Sequence, residues 1–105
     1  MLSIDLSGRT VLVLGGSRGI GEGVTRLLAR AGARVVFTHT GNPAHAGRLE
    51  RLLAEVSAEG GWARAEALDA LDCGATAALA DRVAAEHGRL DALVSNVGRN
   101  EARPA

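Results

Sequence analysis

The chain has no lysine and no tyrosine among its 105 residues, and only one cysteine, one phenylalanine and one tryptophan. Each shortage argues against a class of function. A lone Cys73 cannot form an intrachain disulfide, so a disulfide-stapled secreted fold is not expected. With only Phe37 and Trp62 as aromatics, there is no platform on which nucleic-acid bases could stack. Neither charge predominates: 12 basic residues, all arginine, balance 12 acidic ones. The chain as a whole therefore offers no electrostatic attraction to nucleic acid or to an acidic membrane. No apolar run approaches the ~20 residues of a membrane span. Met1-Leu-Ser-Ile-Asp5 lacks the basic-then-apolar order of an export signal. The expectation is a cytoplasmic protein with no nucleic-acid and no membrane partner. His45, His87 and Cys73 do not have metal-ligand spacing, so no metal is expected. Glu50, Glu55 and Glu59 read as a solvated helix face, and no Ser-His-Asp or Cys-His arrangement stands out.

What is present is a repeated alternation of strand and helix patterns. Thr10–Leu14 is a continuous apolar run, as a strand buried on both faces requires. Ile20, Val24, Leu27, Leu28 and Ala31 recur at helical spacing, and Gly32 stops that helix. Arg34–His39 gives a second short strand, and Asn42-Pro43 opens a second helix with the stripe Leu49, Leu52, Leu53 and Val56. Gly60-Gly61 ends it. Trp62–Leu68 is a third strand diluted by Ala and Glu. Asp72 caps a third helix, in which Ala75, Ala78, Leu79 and Val83 share a face; Gly88 ends it, and Leu90–Ser95 is the fourth strand. Short connections between such elements imply a three-layer α/β fold: a Rossmann-like parallel sheet with helices on both faces. Right-handed crossovers favour the strand order 3-2-1-4, half of a doubly wound fold. The expected domain is 1–98, followed by a tail at 99–105.

The most telling segment joins the first strand to the first helix, Gly15-Gly-Ser-Arg-Gly-Ile-Gly21. Glycines there bring bare backbone N–H groups to the positive end of a helix dipole, which suits a phosphate. The spacing is Gly-x-x-x-Gly-x-Gly through Gly15, Gly19 and Gly21. Gly-x-Gly-x-x-Gly is not met, because position 24 is Val. A P-loop is not met either: Glu22-Gly23 follows Gly21 where Lys-Ser/Thr is needed. A methyltransferase-type loop would want an acid ending the second strand, where His39 stands.

This loop resembles the cofactor loop of the short-chain dehydrogenase/reductase family, especially its NADP-dependent 3-oxoacyl-carrier-protein reductases. Three further stretches match in order and spacing. His39-Thr-Gly-Asn42 stands where that family ends its second strand. Leu68-Asp-Ala-Leu-Asp72 resembles the motif whose first acid or amide contacts adenine. Leu93-Val-Ser-Asn-Val-Gly98 resembles the Asn-Asn-Ala-Gly segment after the fourth strand. The chain departs from the pattern at Leu14, usually Thr, and at Ser95 and Val97. The resemblance implies a cofactor site made of Gly15, Ser17, Arg18, Gly19, Ile20, Gly21, His39, Thr40, Asp69, Ala70, Asn96, Val97 and Gly98. An acid about twenty positions past the glycine turn would hold the ribose hydroxyls of NAD. His39 and Thr40 would not repel a 2′-phosphate as a carboxylate would, and Arg18 can pair with one. NADP(H) is therefore expected over NAD(H).

In that family the reaction uses a Tyr-x-x-x-Lys pair with a Ser and an Asn, all beyond the fourth strand, with tyrosine as general acid/base. No tyrosine or lysine occurs here. The expectation is the truncated cofactor-binding N-terminal part of an oxidoreductase that transfers hydride between NADPH and a carbonyl or alcohol, inactive alone and without catalytic residues of its own. The fourth strand would then be an exposed edge, making the chain marginal, self-associating or aggregation-prone. The alternative is a non-catalytic nucleotide-binding or interaction module whose sheet a partner chain completes.

Overall fold

The computed structural model describes residues 4–15, 19–69 and 71–95. In chain order the elements are β1 (Thr10–Leu14), α1 (Gly19–Arg30), β2 (Arg34–His39), a single 3-10 turn (Pro43–His45), α2 (Ala46–Ala58), β3 (Trp62–Ala67), α3 (Cys73–His87) and β4 (Ala92–Ser95). The strands form one parallel sheet in the order β3-β2-β1-β4, as the alternation of elements implied. The expected boundary at 98 and the tail at 99–105 fall outside the described residues.

Two cores follow from strand geometry, because successive side chains point to opposite faces of a sheet. Val11, Val13, Val35 and Phe37 pack beneath α1 and α2 with Ala29, Leu52 and Val56. Leu12, Leu14 and Val36 pack on the other face beneath α3, with Leu79 and Val83. β1 is buried along its whole length for that reason. β3 is diluted because only one of its faces is apolar. Ala63 and Ala65 face the α1/α2 core. Arg64 reaches Glu86 of α3 at 2.8 Å, and Glu66 takes Arg82 at 3.1 Å.

The helices correct several expectations. On α1, Ile20 is 77% exposed and Leu27 66% exposed. The buried ridge is Gly21, Thr25 and Ala29, with Val24 and Leu28 half-buried beside it. Small residues four apart let the helix lie close to the sheet, a reason that hydrophobicity alone does not reveal. The Thr25 hydroxyl is satisfied by donating to the Gly21 carbonyl at 2.9 Å. Asn42-Pro43 opens the 3-10 turn rather than α2 itself; the Asn42 side chain accepts the Ala44 N–H at 2.9 Å. On α3, Ala78 is exposed, while Leu79 and Val83 are buried and Asp72 caps the helix as expected. Glu55 and Glu59 are not simply solvated. Glu55 pairs with Arg26, and Glu59 with Arg30 at 3.0 Å, tying α2 to α1.

β4 begins later than the apolar run suggested, at Ala92, because Asp91 has another task. Its carboxylate accepts the Thr10 N–H at 2.8 Å, and its own N–H donates to the Thr10 carbonyl at 2.8 Å. Arg89 grips the same carboxylate with two nitrogens at 2.6–2.9 Å. Hydrogen bonding from Arg89, and then from the Thr10 amide, pulls the Asp91 carboxyl down to about 2. This clamp fixes β4 against β1 at the start of both strands. β4 has no second neighbour in the sheet among the described residues, and Leu93 is 53% exposed there.

Candidate functional site

The parallel register decides which residues meet. Val13 pairs with Phe37, and Phe37 with Ala65, so β1, β2 and β3 end nearly in line. Gly15, His39-Thr40 and Leu68-Asp69 therefore emerge in a row at the carboxyl edge of the sheet. In open parallel sheets ligands bind at that edge, where the strand order reverses, and here the reversal falls at β1.

Gly15 leaves β1 with φ +79°, a conformation strained for any side chain. Its N–H donates to the Thr38 hydroxyl at 2.8 Å, so the turn is pinned to the neighbouring strand. Gly19 opens α1 at φ +56°, and a Cβ placed there would meet nothing within 4 Å among the described residues. The first turn of a helix has N–H groups without intrahelical partners, and Gly19, Ile20 and Gly21 supply them here. Glu22, the acid in that turn, is drawn toward Arg26 at 3.5 Å. Among the described residues, the edge thus presents backbone donors with nothing packed against Gly19, and the nearby carboxylate is paired. That fits the diphosphate of a dinucleotide.

His39 ends β2 with its ring oriented. Nδ1 accepts the Gly41 N–H at 3.1 Å, which in the neutral imidazole leaves the proton on Nε2 as a donor. Its backbone carbonyl accepts the Leu68 N–H at 2.9 Å, bringing the end of β3 alongside. Thr40 is exposed next to it. Asp69 turns the chain after β3: its carboxylate accepts the Leu71 N–H at 3.0 Å, and its carbonyl accepts the Asp72 N–H at 2.9 Å. Of the residues expected at the site, Gly15, Gly19, Ile20, Gly21, His39, Thr40 and Asp69 belong to this edge or to the helix turn that rises from it. Ser17, Arg18, Ala70, Asn96, Val97 and Gly98 lie outside the described residues. β4 ends at Ser95 beside Leu14, on the same edge.

Sequence reasoning missed Thr38. The available signal was a hydroxyl residue following the apolar run Val35-Val36-Phe37, next to last in the strand. A cavity of about 460 Å³ lies at the opposite edge, among Gly32, Arg34, Gly60, Trp62 and His87. It shares no residue with the glycine turn and sits at the amino ends of the strands, away from the switch point. Among the described residues no group of three His, Cys, Asp or Glu could hold a metal ion, and no helix is long and apolar enough to cross a membrane.

Known proteins give an independent measure. The short chain dehydrogenase family model matches residues 9–105. L-rhamnose 1-dehydrogenase (NAD(P)(+)) of Azotobacter vinelandii is 43% identical over 99 residues, covering 93% of this chain and 37% of that protein. A short-chain dehydrogenase from Burkholderia cenocepacia, crystallised with NADP, superposes with a TM-score of 0.80 at 40% identity, over 93% of this chain and 39% of that one. A metagenomic short-chain oxidoreductase in complex with NADP gives a TM-score of 0.79 at 42% identity, over 90% and 41%. The chain thus spans 37–41% of the length of these three proteins, and 40% of the D-threitol dehydrogenase of Mycolicibacterium smegmatis. With a glycine turn at the switch point, a parallel 3-2-1-4 sheet and a family match over nearly its whole length, the chain belongs to the short-chain dehydrogenase/reductase family of oxidoreductases, which bind a nicotinamide dinucleotide.

Proposed function

We propose that these residues are the NADP(H)-binding part of an oxidoreductase acting on a carbonyl or alcohol. The observation that carries this reading is the row of Gly15, His39 and Asp69 at one sheet edge, with no carboxylate where β2 ends. The first-turn N–H groups of α1, with Ser17, hold the diphosphate. Nε2–H of His39, the Thr40 hydroxyl and the Arg18 guanidinium receive the 2′-phosphate, which a carboxylate at 39 would repel. Asp69 and Ala70 border the adenine, and Asn96, Val97 and Gly98 form the contact after β4. When bound, the nicotinamide supplies or accepts the hydride. The NADP complexes of two structural relatives support the cofactor choice. The proton-transfer pair of the family, tyrosine and lysine, has no counterpart in this sequence, so the 105 residues bind cofactor without turning it over.

Titration calorimetry with NADPH and NADH tests this. NADPH is expected to bind about tenfold or more tightly, a difference of ~1.4 kcal/mol, and His39→Asp to reverse the order. Tighter NADH binding by the unmodified chain would refute the roles of His39, Thr40 and Arg18. Steady hydride transfer by the purified chain would refute the division between binding and catalysis.

The outer edge of β4, which pairs with no further strand among the described residues, and the half-exposed Leu93 support a second reading. A further strand, from a longer chain or from a partner, pairs with β4 and completes the sheet. Alone, the chain is then expected to self-associate, and sedimentation of a dilution series would show it. A monomer with a sharp, concentration-independent melting transition would count against it.

A further inference from the structure

We propose that Thr38 is a positioning residue for the dinucleotide: its hydroxyl, buried in the sheet, sets the direction in which the glycine turn leaves β1. The proposal rests on the reading of the carboxyl edge as the cofactor site. Thr38 is 1% exposed and follows Val35, Val36 and Phe37, all fully buried. By alternation it shares a sheet face with Val36, which packs among Leu12, Leu14, Leu79 and Val83 beneath α3. A buried hydroxyl is costly unless hydrogen-bonded, and valine has nearly the same shape without that cost. The hydroxyl has a use: Oγ1 accepts the Gly15 N–H at 2.8 Å.

That bond fixes two things together. It holds Gly15 at the positive φ from which the turn starts. It fastens the end of β1 to β2 one residue before His39, so the diphosphate end and the 2′-phosphate end of the site share one support. Thr38 itself touches no cofactor; it acts through the Gly15 backbone.

The test uses the 105-residue chain with Thr38→Ser, Thr38→Val and, as a control on the same strand and face, Val36→Ala. Two quantities are read: NADPH affinity by calorimetry, and hydrogen exchange of the Gly15 amide by NMR, each beside the melting temperature. Thr38→Ser keeps the acceptor and is expected to bind within about twofold of the unmodified chain. Thr38→Val is expected to bind about tenfold more weakly, the loss of one hydrogen bond at most, and to exchange the Gly15 amide about tenfold or more faster. Val36→Ala lowers the melting temperature yet leaves both site quantities near their starting values. Equal NADPH affinity of the unmodified and Thr38→Val chains would overturn the proposal and leave the cofactor reading standing. So would equal weakening by Thr38→Val and Val36→Ala, which would mark a general loss of stability. If the unmodified chain binds no NADPH, the cofactor reading falls, and Gly15 exchange alone decides the pinning: unchanged exchange in Thr38→Val overturns it.

Discussion

Replacing Gly19 with alanine separates a glycine kept for a ligand from a glycine kept for a turn. Gly19 has φ +56°, and a Cβ there meets nothing within 4 Å among the described residues. The substitution therefore adds backbone strain without a clash against any described residue. Left-handed backbone costs an L-residue ~1–2 kcal/mol, and the stiffer unfolded chain returns ~0.4–1 kcal/mol. The net loss is about 0–1.6 kcal/mol, or a fall in Tm of up to roughly 13 °C for a domain of this size. Gly60 is a matched control: its φ is +82°, and a Cβ there also meets nothing within 4 Å among the described residues. It follows α2 at the opposite edge of the sheet, so Gly60→Ala carries a similar strain far from the site. The two variants part in binding. At Gly19 the methyl occupies the space through which a diphosphate approaches the first-turn N–H groups. Losing one charge-assisted hydrogen bond, ~1.5–3 kcal/mol, weakens NADPH binding about tenfold to a hundredfold. Thermal melts and calorimetry on both variants give the four numbers required. NADPH binding by Gly19→Ala equal to that of the unmodified chain would refute the reasoning, and so would equal weakening by Gly60→Ala.

Acid should loosen the β1–β4 clamp. Asp91 is pulled down to about 2 in the folded chain from an ordinary 3.8, so its contribution is complete above about pH 4 and is lost as pH falls toward 2. Urea midpoints measured at pH 4 and pH 2 should differ less in Asp91→Asn than in the unmodified chain; an identical difference would remove Asp91 from the account. Leu52→Ala tests the α1/α2 core, because Leu52 is fully buried under α2. A loss of ~2–5 kcal/mol is expected from denaturant unfolding, and a loss below ~1 kcal/mol would mean that α2 is loosely seated.

Legibility in the sequence followed the kind of signal. The buried strands β1 and β2 were readable because continuous runs of branched residues have few alternatives. α2 was readable for a similar reason: Leu52 and Val56 recur at helical spacing on a face that is buried. α1 was only partly readable. Its contact ridge is Gly21, Thr25 and Ala29, and small residues chosen for close approach leave no hydrophobic mark, whereas Ile20 and Leu27 leave one and stay exposed. The weak third strand had its cause in another element, since Arg64 and Glu66 are there for Glu86 and Arg82 of α3. Within the site, the glycines and His39 were visible as residue types at a spacing. Thr38 was not, because its importance is one hydrogen bond to a residue 23 positions away.

By itself the sequence determined the alternation of strands and helices, hence a parallel sheet, and the glycine turn at its first strand–helix junction. Both are local properties, carried by the spacing of apolar residues and by glycines in one continuous segment. Only the tertiary structure decided which strand ends stand side by side, which helix face meets the sheet, and what orients the turn and the His39 ring. Those depend on register between segments far apart in the chain, where one residue of slip would move every side chain to the other face.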